Sequence, residues 1–140
     1  MNNIHATLIS FNDTGILLIG KSGSGKSDIA LRFIQEHNAL LVADDRVCLE
    51  VKNNILYGSS PQELAGKLEV RGLGIAQLDY KKKEKITLCV ELCLQRKNIE
   101  RMPQPEYINF LGVSVAKIKL YPFDCSTINK IIAKICGIIS

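Results

Sequence analysis

The sequence predicts an α/β domain in which one strand–loop–helix unit is set into a mixed, largely antiparallel sheet. Three observations lead there. A glycine-rich loop at residues 20–27 lies between a wholly apolar run and an amphipathic segment; a second apolar run follows at residues 39–43; and the rest of the chain is a series of strand-like runs with little helical periodicity. Repeated βα units, the mark of a doubly wound sheet, are missing.

Residues 6–11 alternate in the manner of a strand, and Asn12-Asp13-Thr14-Gly15 is a turn cluster that folds the next strand back as a hairpin. That next strand, residues 16–19, is apolar throughout, as expected of one buried on both faces. After the glycine loop, Ile29, Ala30, Phe33 and Ile34 recur at helical spacing up to His37-Asn38, a helix of about three turns. Residues 39–43, closed by Asp44-Asp45, form a second buried strand, which completes a βαβ unit and is expected beside the loop-bearing strand. Residues 47–51, 55–58, 75–80, 86–94 and 113–120 read as further strands, and only residues 127–136 return to a helical pattern. Neither a linker nor an internal repeat divides the chain, so residues 1–140 are read as a single domain.

Composition limits what such a domain can be. The chain has 140 residues, 46% hydrophobic and 23% charged, with 18 Lys+Arg against 14 Asp+Glu for a net charge of +4. The apolar fraction supplies a core, and the charge is too small for bulk electrostatic binding of nucleic acid. The longest apolar runs, at residues 16–20 and 131–139, fall short of the roughly 18 to 20 residues that span a bilayer, and Asn2-Asn3-Ile4-His5 does not start a signal peptide. A cytoplasmic protein without membrane or nucleic-acid partners is expected. Five cysteines (Cys48, Cys89, Cys93, Cys125, Cys136) without a CxxC pair support neither a disulfide framework nor a zinc site and read as buried apolar side chains. The run Lys81-Lys82-Lys83-Glu84-Lys85 reads as a solvated turn.

Gly20-Lys21-Ser22-Gly23-Ser24-Gly25-Lys26-Ser27 matches GxxxxGK[ST] in full. Backbone amides in such a loop point at a polyphosphate when a buried strand precedes it and a helix follows, as here. Lys26 then supplies a point charge to the outer phosphates and the Ser27 hydroxyl a ligand to Mg²⁺, so a nucleoside triphosphate with Mg²⁺ is the expected ligand. Asp44 and Asp45 end a strand where open sheets bind ligands. A carboxylate there can hold Mg²⁺, directly or through water, take the proton of an attacking hydroxyl, or simply cap the turn. Glu69 and Arg71, two apart in Lys67-Leu68-Glu69-Val70-Arg71-Gly72-Leu73-Gly74-Ile75, share a face if extended. Composition alone makes this segment a strand ending in a bulge.

The loop, Leu41-Val42-Ala43-Asp44-Asp45 and Leu68-Glu69-Val70-Arg71-Gly72-Leu73-Gly74-Ile75 together resemble the catalytic domain of the HPr kinase/phosphorylase family, most closely from His5 to Ile75. The resemblance implies a phosphate-loop core like that of the phosphoenolpyruvate carboxykinase nucleotide-binding domain. It implies an enzyme that uses ATP and Mg²⁺ to phosphorylate a serine of the phosphocarrier protein HPr, a control point of the sugar phosphotransferase system, with reverse phosphorolysis in many members. It also implies a homo-oligomer, typically a hexamer, and a short form without the family's N-terminal domain. By matching motif, Asp44 is the general base, Asp45 supports Asp44 and the metal, Glu69 joins Ser27 around Mg²⁺, and Arg71 orders that site. His5 then tunes the proton affinity of the catalytic aspartate, and Arg101 reaches the transferred phosphate from a loop. Where the family commonly has Gly-His before the aspartate strand, this sequence has Glu36-His37-Asn38-Ala39. A small-molecule kinase and a non-catalytic ATP-gated module are the alternative readings of the loop and carboxylates.

Overall fold

The computed structural model describes residues 2–137. In chain order it contains β1 (Asn3–Ile4), β2 (Thr7–Phe11), β3 (Thr14–Ile19), α1 (Lys26–His37), β4 (Leu40–Ala43), β5 (Val47–Lys52), β6 (Ile55–Ser59), β7 (Lys67–Val70), β8 (Gly74–Gln77), β9 (Lys83–Leu92), β10 (Glu106–Phe110), β11 (Val113–Leu120) and α2 (Thr127–Ile135). Residues 138 and 139, the end of the C-terminal apolar run, lie outside the described residues. No helix among the described residues is long and apolar enough to cross a membrane.

The main sheet runs β1-β5-β6-β9-β3-β2-β4, with β11 also paired to β9 and β10 to β11; β7 and β8 form a separate hairpin. Only β3–β9 and β9–β11 are parallel among the strand pairs, so the expectation of a mixed, largely antiparallel sheet holds. Ten-residue β9 is the axis of this arrangement. Its first residues pair with β6, while Leu88 to Glu91 pair with both β3 and β11. Where β3 joins β9 the register shifts beside Gly15, and a Cβ at Gly15 would stand 2.1 Å from the Lys85 carbonyl oxygen. Glycine is required there by close backbone approach.

The strand order corrects one expectation. Residues 39–43 do form a strand, but β4 does not lie beside β3; β2 stands between them, antiparallel to both. Local sequence explains why. Asn12 and Asp13, with φ of 49° and 60°, make a two-residue turn that forces β2 against one edge of β3, and β9 takes the other edge. After α1, the chain can join only at the free edge of β2. Because β3 and β4 both oppose β2, their C-terminal ends, and the start of β2 at Thr7, still meet at one edge of the sheet.

Two apolar clusters cover the faces of this sheet. Ile9, Ile16, Leu18, Leu88 and Val90 pack with Ile29 and Phe33 of α1 and with Ile128 and Ile131 of α2. Leu8, Leu17, Val42, Val47, Ile86 and Cys89 form the other cluster. Leu68, fully buried with the first cluster, ties the β7–β8 hairpin to α1. α1 stops as expected at Asn38, whose left-handed conformation (φ 57°) ends the helix. His37 packs edge-on against Phe11 and beside Phe33, a packing role.

All five cysteines are free. The expectation that they are buried holds fully only for Cys89, whose thiol burial pushes up to about 12. Cys125 and Cys136 are exposed because they lie outside the sheet, one before α2 and one just past its end.

The lysine run is more ordered than a solvated turn. Lys81 bonds Asp13 and Glu84, and Lys83 bonds Glu50 while lying over the Tyr57 ring. Glu84 is buried and accepts hydrogen bonds from the Ser10 hydroxyl (2.6 Å), Lys81 Nζ (2.6 Å) and the Lys85 backbone N–H (2.9 Å). Burial alone raises its pKa, but Lys81, Ser10 and the Lys85 amide outweigh burial and hold it below the usual 4.5. The stability this carboxylate adds is therefore complete above its unfolded pKa and is lost as pH falls through the lower folded value. Glu84→Gln should cost about 1–3 kcal/mol at pH 7 in urea unfolding. The gap from wild type should close as pH drops below the ordinary carboxylate range; a gap independent of pH would show that the charge contributes nothing.

Candidate functional site

The phosphate-loop segment follows directly from the end of β3 and runs into α1, as its sequence requires. Gly25, at φ 94°, is the cap before the helix; a Cβ there would be strained by the backbone and would press on Pro122 and the Phe123 ring. The loop closes on itself through the Ser24 N–H to Lys21 carbonyl bond. Lys26 is buried, and its Nζ donates to the carbonyls of Gly20 (2.9 Å) and Lys21 (3.0 Å). Burial lowers the pKa of this ammonium group, and Asp44 and Asp45 nearby oppose that shift.

Asp44 joins four segments of chain. Its side chain is almost fully buried at the end of β4. Oδ1 accepts hydrogen bonds from Thr7 Oγ1 (2.8 Å) at the start of β2 and from Ser27 Oγ (2.9 Å) in the phosphate loop, while Oδ2 accepts from the Glu69 backbone N–H (3.3 Å) in β7. Asp45 turns the other way. In the left-handed region (φ 71°), it is largely exposed and lies 3.2 Å from His5 Nε2.

These residues line a single cavity of about 500 Å³. Its wall includes His5, Thr7, Asp44, Asp45, Glu69 and Arg71, together with Ser22, Gly23, Gly25, Lys26 and Ser27 of the loop. Glu69 projects opposite the buried Leu68, as strand alternation dictates, and Arg71 lies just past β7. Arg101 is not among these lining groups. It lines a second cavity, of about 450 Å³, between the stretch before β10 and β11.

Of the lining residues that the sequence does not single out, Thr7 and Phe123 bear most on the geometry of the first cavity. Thr7 reads in the sequence only as part of the strand over residues 6–11; it meets Asp44 because β2 separates β3 from β4. Phe123 reads as a lone aromatic in a turn, and the only signal for it is its place between the last strand and the last helix.

Magnesium with a nucleotide is consistent with this donor set. Ser27 Oγ, Asp44 and the Glu69 carboxylate are hard oxygen donors around one cavity, and Ser27 is already bonded to Asp44. No cluster of three or more His, Cys, Asp or Glu suited to enclosing a metal occurs among the described residues. Mg²⁺ needs none, since it is commonly held by one or two carboxylates and by phosphate oxygens.

Strand, glycine loop and helix, with a carboxylate hydrogen-bonded to the loop's last hydroxyl, define a phosphate-loop domain. Its family is shown by sequence: residues 1–136 match the family described as "HPr Serine kinase C-terminal domain", and the chain belongs to that family. It is 34% identical over 127 residues to the HPr kinase/phosphorylase of Clostridium kluyveri, covering 84% of this chain and 41% of that protein. It is 33% identical over 131 residues to that of Bacillus pumilus, covering 86% of this chain and 39% of the relative. The chain thus spans about two fifths of the length of these relatives. A solved structure of the HPr(Ser) kinase/phosphatase from Coxiella burnetii matches 98% of this chain and 89% of its own, with TM-score 0.85 and 23% identity, and so shares the fold.

Thr7→Val tests the carboxylate junction, because valine keeps the volume and removes the donor. With Thr7 fully buried, the change should cost roughly 1–3 kcal/mol in denaturant unfolding without altering the denaturant slope. A loss below about 0.5 kcal/mol would mean that the bond does not help hold the site together.

Proposed function

We propose that this domain transfers the γ-phosphoryl group of ATP to a serine hydroxyl of an HPr-type phosphocarrier protein, and reverses the step by phosphorolysis with inorganic phosphate. The observation that carries this reading is the buried Asp44 carboxylate, 2.9 Å from the phosphate-loop hydroxyl of Ser27 and lining the same cavity as Glu69 and the His5–Asp45 pair. The names of the relatives and of the matched family supply the acceptor.

In this reading the loop amides and Lys26 bind the polyphosphate and offset the charge that spreads over the transferred oxygens. Ser27 and Glu69, with Asp44, would hold Mg²⁺, which would offset phosphate charge when bound. Asp44 orients the serine hydroxyl and takes its proton as the new O–P bond forms and the bond to the departing ADP breaks. Asp45 supports Asp44 from the outer side, His5 sets the proton affinity of the pair, and Arg71 orders Glu69. Arg101 serves the transferred phosphate only if the segment carrying it reaches the first cavity, most simply from a neighbouring copy in the homo-oligomer that the family resemblance implies. ATP and a phosphocarrier acceptor call for the cytoplasmic compartment.

One observation favours a different division of labour between the aspartates. Both Asp44 oxygens accept hydrogen bonds, from Thr7, Ser27 and the Glu69 amide, whereas the exposed Asp45 faces His5. In that second reading Asp44 orders the metal and Asp45 with His5 takes the proton. Transfer of labelled phosphate from ATP to an HPr-type protein, with its acceptor serine intact or replaced by alanine, tests both. Asp44→Asn should lower transfer at least 10³-fold while ATP still binds, and Asp45→Asn should lower it less. The reverse ranking, with His5→Ala shifting the pH–rate profile of wild type, assigns the base to Asp45. Label incorporated without any protein acceptor would instead make the domain a small-molecule kinase.

A further inference from the structure

The Tyr121–Asp124 turn, between β11 and α2, places an aromatic ring at the phosphate loop that the proposed reaction does not use. Phe123 is 54% exposed, unusual for a phenylalanine, and it lines the first cavity with Ser22, Gly23 and Leu31. Its ring lies over Gly25: a Cβ on that glycine would stand 3.1 Å from Phe123 Cε1 and 3.3 Å from the buried Pro122 Cβ. The ring is held in place. It meets Tyr121 edge to face at 5.7 Å, and the Arg96 guanidinium covers Tyr121 from 4.0 Å while bonding Asp124 through both terminal nitrogens. Thr127 Oγ1 donates to the Tyr121 and Asp124 carbonyls, fixing the turn at the start of α2.

A fixed, exposed ring beside Gly25 of the phosphate loop, lining the same cavity as Lys26 and the carboxylates, suits a ligand that joins an anionic group to a planar one. Nucleoside triphosphates have that shape. We propose that the face of Phe123 is the stacking surface for the purine base of the bound nucleotide, a role that rests on the nucleotide reading above. The loop and Lys26 hold the polyphosphate, and the ring adds affinity only when a base is attached. A hydrocarbon ring supplies a π-face without directional donors, so the surface favours a base over its absence and separates adenine poorly from guanine.

Calorimetric titration of the full chain with Mg²⁺-ATP and with Mg²⁺-tripolyphosphate separates this role from others. Phe123→Ala should weaken ATP binding about tenfold or more and leave tripolyphosphate within about twofold, while Phe123→Tyr should restore ATP binding. The chain contains no tryptophan, so Phe123→Trp adds a single reporter. Its fluorescence should change with ATP and not with tripolyphosphate. Equal weakening of both ligands in Phe123→Ala would make the ring a support for the loop and overturn the proposal. Unchanged affinities would overturn it too, whether or not sedimentation shows a change in assembly. Wild-type protein that binds tripolyphosphate and ATP equally well overturns the stacking role alone, whereas failure to bind either removes the nucleotide reading and the stacking role with it.

Discussion

The carboxylate of Asp44 is the constraint on which the rest of the site depends. A buried carboxylate must find donors, because leaving it unpaired away from water costs several kcal/mol. Here the donors come from three other segments: Thr7 from β2, Ser27 from the phosphate loop and the Glu69 amide from β7. Each bond therefore fixes the position of an element as well as a charge. The phosphate loop is placed relative to β4, and the hairpin bearing Glu69 and Arg71 is drawn to the cavity wall. Leu68, buried against α1, makes that placement unique by anchoring the opposite face of the same strand.

The sheet order follows from equally local causes. The two-residue turn at Asn12-Asp13 commits β2 to one edge of β3, and the parallel pairing with β9 occupies the other. A parallel neighbour for β3 from the α1 crossover is thereby excluded, and β4 must take the far edge of β2. Cys89 and Val90 of β9 belong to opposite clusters, so the strand contributes to both faces at once. At the turn end of the hairpin, Glu84 binds the hydroxyl of Ser10 in β2, and its partner Lys81 also reaches Asp13 in the turn itself. Charge fixes the hairpin at one end of the sheet and Asp44 at the other.

The parts legible in the sequence are those set by neighbours along the chain. Residues 20–27, the α1 periodicity with its end at Asn38, the hairpin turn and most strand runs are local patterns, and the structure reproduces them. The position of β4 was not legible, because it depends on which edges other strands have already taken. β10 is not legible either: Glu-Tyr-Ile-Asn-Phe is half exposed on a strand at the end of the sheet, with Pro103 and Pro105 before it, so its pattern carries little apolar signal. At the site, Asp44, Glu69 and Arg71 were legible as residues, and their shared cavity is consistent with the pattern that singled them out. The partner of His5 was not, since Asp44 and Asp45 are adjacent and only the left-handed turn at Asp45 decides which one faces it. Thr7 carries no local mark at all, because its hydroxyl acquires a partner only through strand order.

The C-terminal helix links these levels. Ile128 and Ile131 of α2 are buried with Ile29 and Phe33 of α1, the helix that begins in the phosphate loop. The same apolar contact that stabilises a short final helix therefore fixes the turn before it, through Thr127 and its two carbonyl acceptors. That turn presses Pro122 and Phe123 onto Gly25, a left-handed loop position (φ 94°) where an added side chain would meet both. Loosening α2 should disturb the loop without touching any carboxylate, since the route runs through packing and not through the Asp44 bonds. The cavity is thus ordered by two kinds of physics: hydrogen bonds to a buried carboxylate fix Thr7, Ser27 and the strand of Glu69, and apolar packing of a distant helix fixes Phe123.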